Sequence, residues 1–208
     1  RLIRSTDRAR LAEGALALGR ANAATEALRA ILADEPQDVW AARHLLTLLP
    51  ADPASASERL GLVSRLIDGA TGEEKADLLA RRSELYQAQG DLTSARADLL
   101  DAAQGSGSPK QLLRALAELA RQANDVGAEL AAWRLALERL PDDVQVVQDA
   151  AERLLHLGKT REEARDFVRA KEAWEMAAGL SLSPQDRFDA WAGVARVCRG
   201  TGDFAGAE

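Results

Sequence analysis

The sequence repeats with a fixed period of 34 residues. Two sets of three residues keep this step: Gly90, Asn124 and Gly158, and Glu84, Glu118 and Glu152. A period of this length is typical of stacked helical hairpins, each made of two helices and a turn. Because each hairpin contacts only its neighbours, such a chain presents an extended surface rather than one central core.

The composition supports an all-α chain. Hydrophobic residues make up 47% of it, aromatic residues only 4% and charged residues 29%. Alanine and leucine supply most of the apolar content, and both favour helices, whereas runs of strand-forming residues are absent. We therefore predict an all-α solenoid of antiparallel helix pairs, because short connections force neighbouring helices to run in opposite directions.

Several classes of function are disfavoured by the sequence. The net charge of −6 argues against nucleic-acid binding, which depends on clustered Lys and Arg. The apolar stretches are shorter than the roughly 20 residues of a membrane helix. One cysteine, Cys198, excludes an internal disulfide, and we expect its thiol to be buried. With no cofactor motif, metal spacing or acid–base constellation, we predict neither a cofactor nor enzymatic activity.

The period divides the chain into five repeats and a truncated sixth, within a single array over residues 1–208. The approximate bounds are 5–38, 39–75, 76–109, 110–143, 144–183 and 184–208. This division predicts about eleven helices, or five and a half hairpins, followed by the start of another helix at Asp203. We therefore expect a fragment of a longer repeat protein. The alanine-rich, lysine-poor composition suggests a bacterial source, and a cytoplasmic location is favoured slightly over a periplasmic one.

The fifth repeat departs from the period, because Gly158 and Gly202 are 44 residues apart. In one interpretation the second helix is lengthened to about Thr160–Gly179. In the other the first helix continues through Glu163 and the chain turns near Asp166. We prefer the long second helix, of about five turns, overhanging its neighbours near residues 160–166. The other interpretation would give residues 170, 174 and 177 the spacing of a normal second helix.

Two segments resemble the tetratricopeptide repeat. They carry Leu79, Tyr86, Gly90-Asp91, Ala95, Leu99 and Ala102, and then Trp191, Val194-Ala195, Cys198, Gly202-Asp203-Phe204 and Ala207. The resemblance covers almost the whole chain and is weakest in the second repeat. It implies a right-handed superhelix in which the first helix of each hairpin lines a concave groove. Such repeats specify a fold well and a function poorly.

The recurring glutamates are the one patterned polar feature, and Glu13 extends their series across a three-residue slip. The resemblance places them in the concave groove, where they would receive Lys or Arg side chains from a partner. Alternatively, they form a solvated helix face neutralised by neighbouring arginines. A clamp for a terminal carboxylate is not expected, because its Lys and Asn residues are missing. The candidate peptide-binding residues are Glu13, Glu84, Glu118, Glu152, Arg114, Arg121, Gln87 and Arg196.

The predicted function is therefore a protein–protein interaction scaffold that binds a partner peptide or helix, with a basic segment favoured. The alternative is a regulatory or spacer module of a larger enzyme or membrane-associated assembly, acting through geometry or self-association. We expect self-association through residues 188–208, because one side of that helix lacks a covering helix. Its apolar residues are Trp191, Val194, Val197 and Cys198. Trp133 and Trp174 are expected as wedges between hairpins, and Trp191 as mainly core.

Overall fold

The computed structural model describes residues 5–180 and 183–202, with side chains from residue 7 onward. This part of the chain contains eleven α-helices and no β-strand. The helices fall into two compact units, Arg1–Gly107 and Ser108–Glu208, called here the N-terminal and C-terminal units.

The N-terminal unit holds three helix pairs, and the C-terminal unit holds two pairs and one further helix. The first six helices are α1 (Ser5–Ala17), α2 (Ala21–Asp34), α3 (Val39–Leu48), α4 (Ala56–Gly69), α5 (Gly72–Ala88) and α6 (Leu92–Gly105). The other five are α7 (Lys110–Gln122), α8 (Val126–Arg139), α9 (Val144–Glu163), α10 (Phe167–Ala178) and α11 (Pro184–Thr201). The prediction of an all-α chain of helix pairs is confirmed. A single array over residues 1–208 stays a prediction.

Local sequence sets most helix boundaries. Five aspartates accept a hydrogen bond from a backbone N–H in the first turn of the following helix: Asp38, Asp91, Asp125, Asp143 and Asp166. Such caps satisfy donors that a helix leaves unpaired. Before two of these aspartates, Gly90 and Asn124 have φ values of 79° and 53°. Glycine and asparagine adopt this left-handed conformation most readily, so these two residues suit the end of the first helix of each pair.

Small and large side chains alternate where the second helices cross their neighbours. The fourth residue of α2, α6 and α10 is a completely buried alanine: Ala24, Ala95 and Ala170. Four positions further, a large residue fills the space between helices: Leu28, Leu99 and, in α10, Trp174. The small residue lets two backbones approach, and the large one restores the packing density. Trp133 and Trp174 are buried, as predicted for wedges.

The fifth repeat follows the interpretation that we did not prefer. α9 extends for 20 residues to Glu163, Arg165 takes a left-handed φ of 58°, and Asp166 caps α10. The predicted long second helix is therefore wrong. Arg165 lies seven residues after Gly158, which is close to two helical turns. The insertion thus lengthens the first helix by almost two full turns, so the apolar residues before and after it lie on nearly the same side of the helix.

Gly158 has a different role from Gly90, although both keep the 34-residue step. It lies inside α9 against the indole of Trp174, so a Cβ there would be 2.4 Å from Trp174 Cδ2. Gly193 of α11 contacts the same indole, and its Cβ would be 2.5 Å from Cδ2. The indole N–H donates to Glu162 Oε2 over 3.3 Å. The absence of a side chain at Gly158 therefore allows the indole to pack against α9.

The C-terminal helix buries less of its aromatic surface than expected. Val194, Val197 and Cys198 are buried, and the Cys198 thiol is free, as predicted. Trp191, expected mainly in the core, is 56% exposed because no helix of the described chain covers its side of α11. The predicted new helix at Asp203 lies outside the described residues. Within the described residues, no helix is long and apolar enough to cross a membrane.

Candidate functional site

A groove of about 560 Å³ opens between helices of the C-terminal unit. Its lining comes from α7, α8 and α9: Gln111, Arg114, Ala115, Ala117, Glu118, Arg121, Glu129, Trp133, Asp149 and Arg153. We call it the arginine groove. It brings together three of the predicted site residues, Arg114, Glu118 and Arg121, which follow one another along α7.

Each arginine in this groove pairs with a carboxylate. The pairs are Arg121 with Glu118, Arg153 with Glu129, and Arg114 with Asp149. The Arg121 guanidinium binds both oxygens of Glu118, with Nε to Oε2 at 2.7 Å and Nη2 to Oε1 at 2.5 Å. Three positive and three negative side chains therefore balance. At Glu118 the geometry matches the interpretation of a helix face neutralised by arginine.

The pairing holds Glu118 in its charged form. The Arg121 guanidinium lowers the pKa of the Glu118 carboxyl from its ordinary 4.5 to about 2, and the amide of Gln122 contributes. A hydrogen bond to the ionised carboxylate favours that form. Glu118 is thus an anion at neutral pH whose oxygens are already occupied by neighbours on its own helix.

Glu129 was not identified from the sequence. It is 2% exposed and occupies the position that is alanine in α2, α6 and α10. Its carboxylate binds Arg153 of α9 through both oxygens, with Nη2 to Oε2 at 3.1 Å. The sequence feature that could have identified Glu129 is a charged residue at a position that is alanine in three other helices. At this position a buried ion pair takes the place of the small side chain, and both of its residues line the arginine groove.

A second groove, of about 390 Å³, lies between α9 and the start of α11. Its lining is Val147, Gln148, Ala151, Glu152, Leu155, Ser183 and Asp186. We call it the α9–α11 groove. It contains the predicted residue Glu152 and a second carboxylate, Asp186, which accepts a hydrogen bond from Ser183 Oγ at 2.7 Å. No basic side chain is among these lining residues, so this groove is acidic.

The other candidate residues lie apart from these grooves. Arg196 of α11 binds both oxygens of Glu162 on α9, at 2.8 and 3.1 Å, and lies over the Trp174 ring. In the N-terminal unit, Glu13 and Glu84 are exposed on different helices, α1 and α5. Gln87 donates to the buried hydroxyl of Ser83 over 3.1 Å. Arg196 therefore has a clear structural role.

The added turns of α9 also change which residues are equivalent. Counted from the start of its helix, Glu152 matches Glu118, since each is the ninth residue. Counted back from the left-handed residue that ends the helix, the match to Glu118 is instead Lys159. The glutamate series is thus regular in sequence but ambiguous in the fifth repeat.

Across the described residues, no group of three or more His, Cys, Asp or Glu side chains could hold a metal ion. The two histidines, His44 and His156, lie in different units. The polar chemistry of the site is therefore that of paired guanidinium and carboxylate groups, which suits binding through hydrogen bonds and charge.

Solved structures resemble this chain in fold. The crystal structure of MamA protein matches with a TM-score of 0.53 and 15% sequence identity, covering 86% of this chain and 98% of that one. A tetratricopeptide repeat protein from Parabacteroides merdae ATCC 43184 matches with a TM-score of 0.50 and 16% identity, covering 98% and 75%. No protein-family model and no curated protein matches the sequence. The chain has a tetratricopeptide-repeat-like fold, as its sequence predicted.

Proposed function

We propose that this chain is a protein–protein interaction scaffold that binds a peptide segment of a partner in its C-terminal unit. The observation that carries the proposal is the pair of grooves beside α9, one acidic and one lined by arginines. Grooves between packed helices accept extended or helical segments, whose apolar side chains bind the floor while charged groups select the partner.

A basic segment suits the α9–α11 groove. Glu152 is exposed and has no ion pair within the described chain, so its carboxylate is available to a Lys or Arg. Val147, Ala151 and Leu155 supply apolar contact area beside it. A partner with one basic residue flanked by aliphatic residues would match both features. In the N-terminal unit, Glu13 and Glu84 are also exposed without an ion pair among the described residues, and we propose them as further contacts for basic side chains.

Selection from a random peptide library displayed on phage tests this proposal. The wild-type chain should enrich peptides that contain Lys or Arg next to aliphatic residues. The Glu152→Lys variant should lose that enrichment, because a lysine repels the basic segment. Glu138→Lys is the matched control, since Glu138 is an exposed glutamate on α8 of the same unit and lies outside both grooves. Equal loss in both variants, or no enrichment by the wild type, would refute the proposal.

Self-association is a second candidate function, favoured by the exposed aromatic residues of α11. Phe188 is 68% exposed and Trp191 is 56% exposed, and they lie three residues apart on one side of the helix. Exposed apolar surface of this kind tends to bind another surface. Sedimentation equilibrium should show concentration-dependent association that the Phe188→Ser/Trp191→Ser variant lacks. If the wild type and this variant are both monomeric, self-association through α11 is excluded.

A further inference from the structure

We infer that the arginine groove binds side-chain carboxylates of a partner peptide, so that the partner carries an acidic segment as well as a basic one. This inference rests on the proposed scaffold function and names the chemistry of its second groove. It differs from the sequence prediction, in which Glu118 would receive a basic side chain.

The exposed charge of the arginine groove is positive, although its charges balance in number. In all three ion pairs the arginine side chain is more exposed than its carboxylate. The exposed fractions are 41% against 21% for Arg114 and Asp149, 50% against 46% for Arg121 and Glu118, and 27% against 3% for Arg153 and Glu129. The arginine side chains are therefore more accessible to a partner than the carboxylates, most clearly at Arg114 and Arg153.

The guanidinium groups retain unused hydrogen-bond donors. A guanidinium has five N–H groups, and a bidentate pair with a carboxylate uses two of them. Arg121 and Arg153 each make such a pair, which leaves the remaining N–H groups for a ligand. Arg114 pairs with Asp149 through a single contact, with Nη2 2.8 Å from Oδ2. The N–H groups of Arg114 outside this contact therefore also remain for a ligand.

One buried donor beside the groove, the indole N–H of Trp133, has no hydrogen-bond partner among the described residues. Trp133 is 7% exposed and lines the groove. Buried donors are normally satisfied. All three carboxylates of the groove are already paired with arginine: Glu118 with Arg121, Glu129 with Arg153 and Asp149 with Arg114. Unused donors around occupied acceptors select a ligand rich in acceptors, and arginine suits carboxylates through its planar fork.

Nuclear magnetic resonance with charged model peptides tests this inference. Three capped peptides are used: alternating Glu and Ala, alternating Lys and Ala, and alternating Gln and Ala. The glutamate peptide should shift the Nε–Hε signals of Arg114, Arg121 and Arg153. The lysine and glutamine peptides should leave those signals unchanged. Both ends are capped, so a terminal carboxylate plays no part.

Paired variants give the quantitative test. Arg114→Gln/Arg121→Gln should weaken binding of the glutamate peptide at least tenfold. Arg134→Gln should change it less than twofold, because Arg134 is 51% exposed in an ion pair with Glu172 outside the groove. Exposed ion pairs contribute little to stability, so these variants should keep the circular dichroism spectrum of the wild type.

Four results would overturn the inference: no binding of the glutamate peptide at millimolar concentration, unchanged affinity in the double variant, shifts of the arginine signals by the lysine peptide, or full displacement by an equal concentration of inorganic phosphate. Glu152→Lys separates this inference from the proposed basic-segment site. That variant should lose lysine-peptide binding at the α9–α11 groove while retaining glutamate-peptide binding, and the arginine double variant should do the reverse.

Discussion

Gly158→Ala should destabilise the C-terminal unit through a direct clash with Trp174. The added Cβ would lie 2.4 Å from Trp174 Cδ2 and 2.6 Å from Cε2, whereas carbon atoms in contact are normally about 3.5–4.0 Å apart. The indole or α9 must therefore move by about 1 Å. Trp174 is only 5% exposed and also contacts Gly193 of α11, so a small side-chain rotation cannot relieve the clash.

Two opposing terms set the magnitude. Overpacking of this kind typically costs about 1–3 kcal/mol. Replacing a glycine inside a helix with alanine returns up to about 1 kcal/mol through helix propensity. We therefore expect a net loss of about 1–2 kcal/mol, or a fall in melting temperature of roughly 2–8 °C for a chain of this size. Gly193→Ala should behave similarly, because its Cβ would lie 2.5 Å from the same ring.

The assay is urea unfolding followed by circular dichroism, with hydrogen exchange of the α10 amides to localise the effect. Exchange is needed because repeat arrays do not always unfold in a single step. Gly200→Ala is the control in the same unit, since its Cβ would meet Phe167 at an ordinary 3.6 Å. It should be neutral or slightly stabilising. Trp174→Leu should remove most of the penalty of Gly158→Ala, giving a coupling of about 1–3 kcal/mol.

Equal stability of Gly158→Ala and Gly200→Ala would refute this reasoning. So would additive effects of Gly158→Ala and Trp174→Leu, because additivity would mean that the glycine and the indole do not interact. Loss of protection spread over the N-terminal unit would point instead to a global effect of the substitution.

Three further predictions follow from the backbone and the ion pairs. Arg165→Gly should raise stability by about 1 kcal/mol in urea titrations, since Arg165 has a left-handed φ of 58°, while Arg165→Ala should give no gain. Glu118 should titrate near pH 2 by NMR, and Arg121→Gln should move its pKa back toward 4.5. Because the folded-state pKa is lowered, the stabilisation is full above pH 4.5 and is lost as the pH falls toward 2. Arg82 forms an ion pair with the buried Asp98, so Asp98→Ala should lower the free energy of unfolding by about 3 kcal/mol in urea titrations. The double variant Asp98→Leu/Arg82→Met should recover most of this loss, because it leaves no unpaired charge.

The helical hairpins and most of their ends could be predicted from the sequence. Asp91 and Asp125 cap the helix that follows them, and Gly90 and Asn124 take the left-handed conformation before it. These features depend on interactions within a few residues, which a single sequence records directly. The 34-residue period repeats the same helix ends and turns along the chain, so the fold class could be predicted from interactions between residues close in sequence.

The register of the fifth repeat was decided by tertiary structure. The two interpretations assigned the ten extra residues to the second or to the first helix of the repeat, and the local sequence around Asp166 was compatible with both. The structure lengthens α9 because Trp174 packs against the two glycines, Gly158 and Gly193, and because Glu162 in the added turns binds Arg196. Those contacts join residues of three helices, and the period alone carries no information about them.

The character of the candidate site was likewise decided by tertiary contacts. The sequence identified Glu118, Arg114 and Arg121 as groove residues but could not say which charges would neutralise one another. Burial of Glu129 against Arg153, on a different helix, leaves the Arg153 side chain more exposed than the carboxylate that it pairs with. Residue types and their spacing fix helices, whereas the sign of the exposed charge depends on which partner each side chain finds in space.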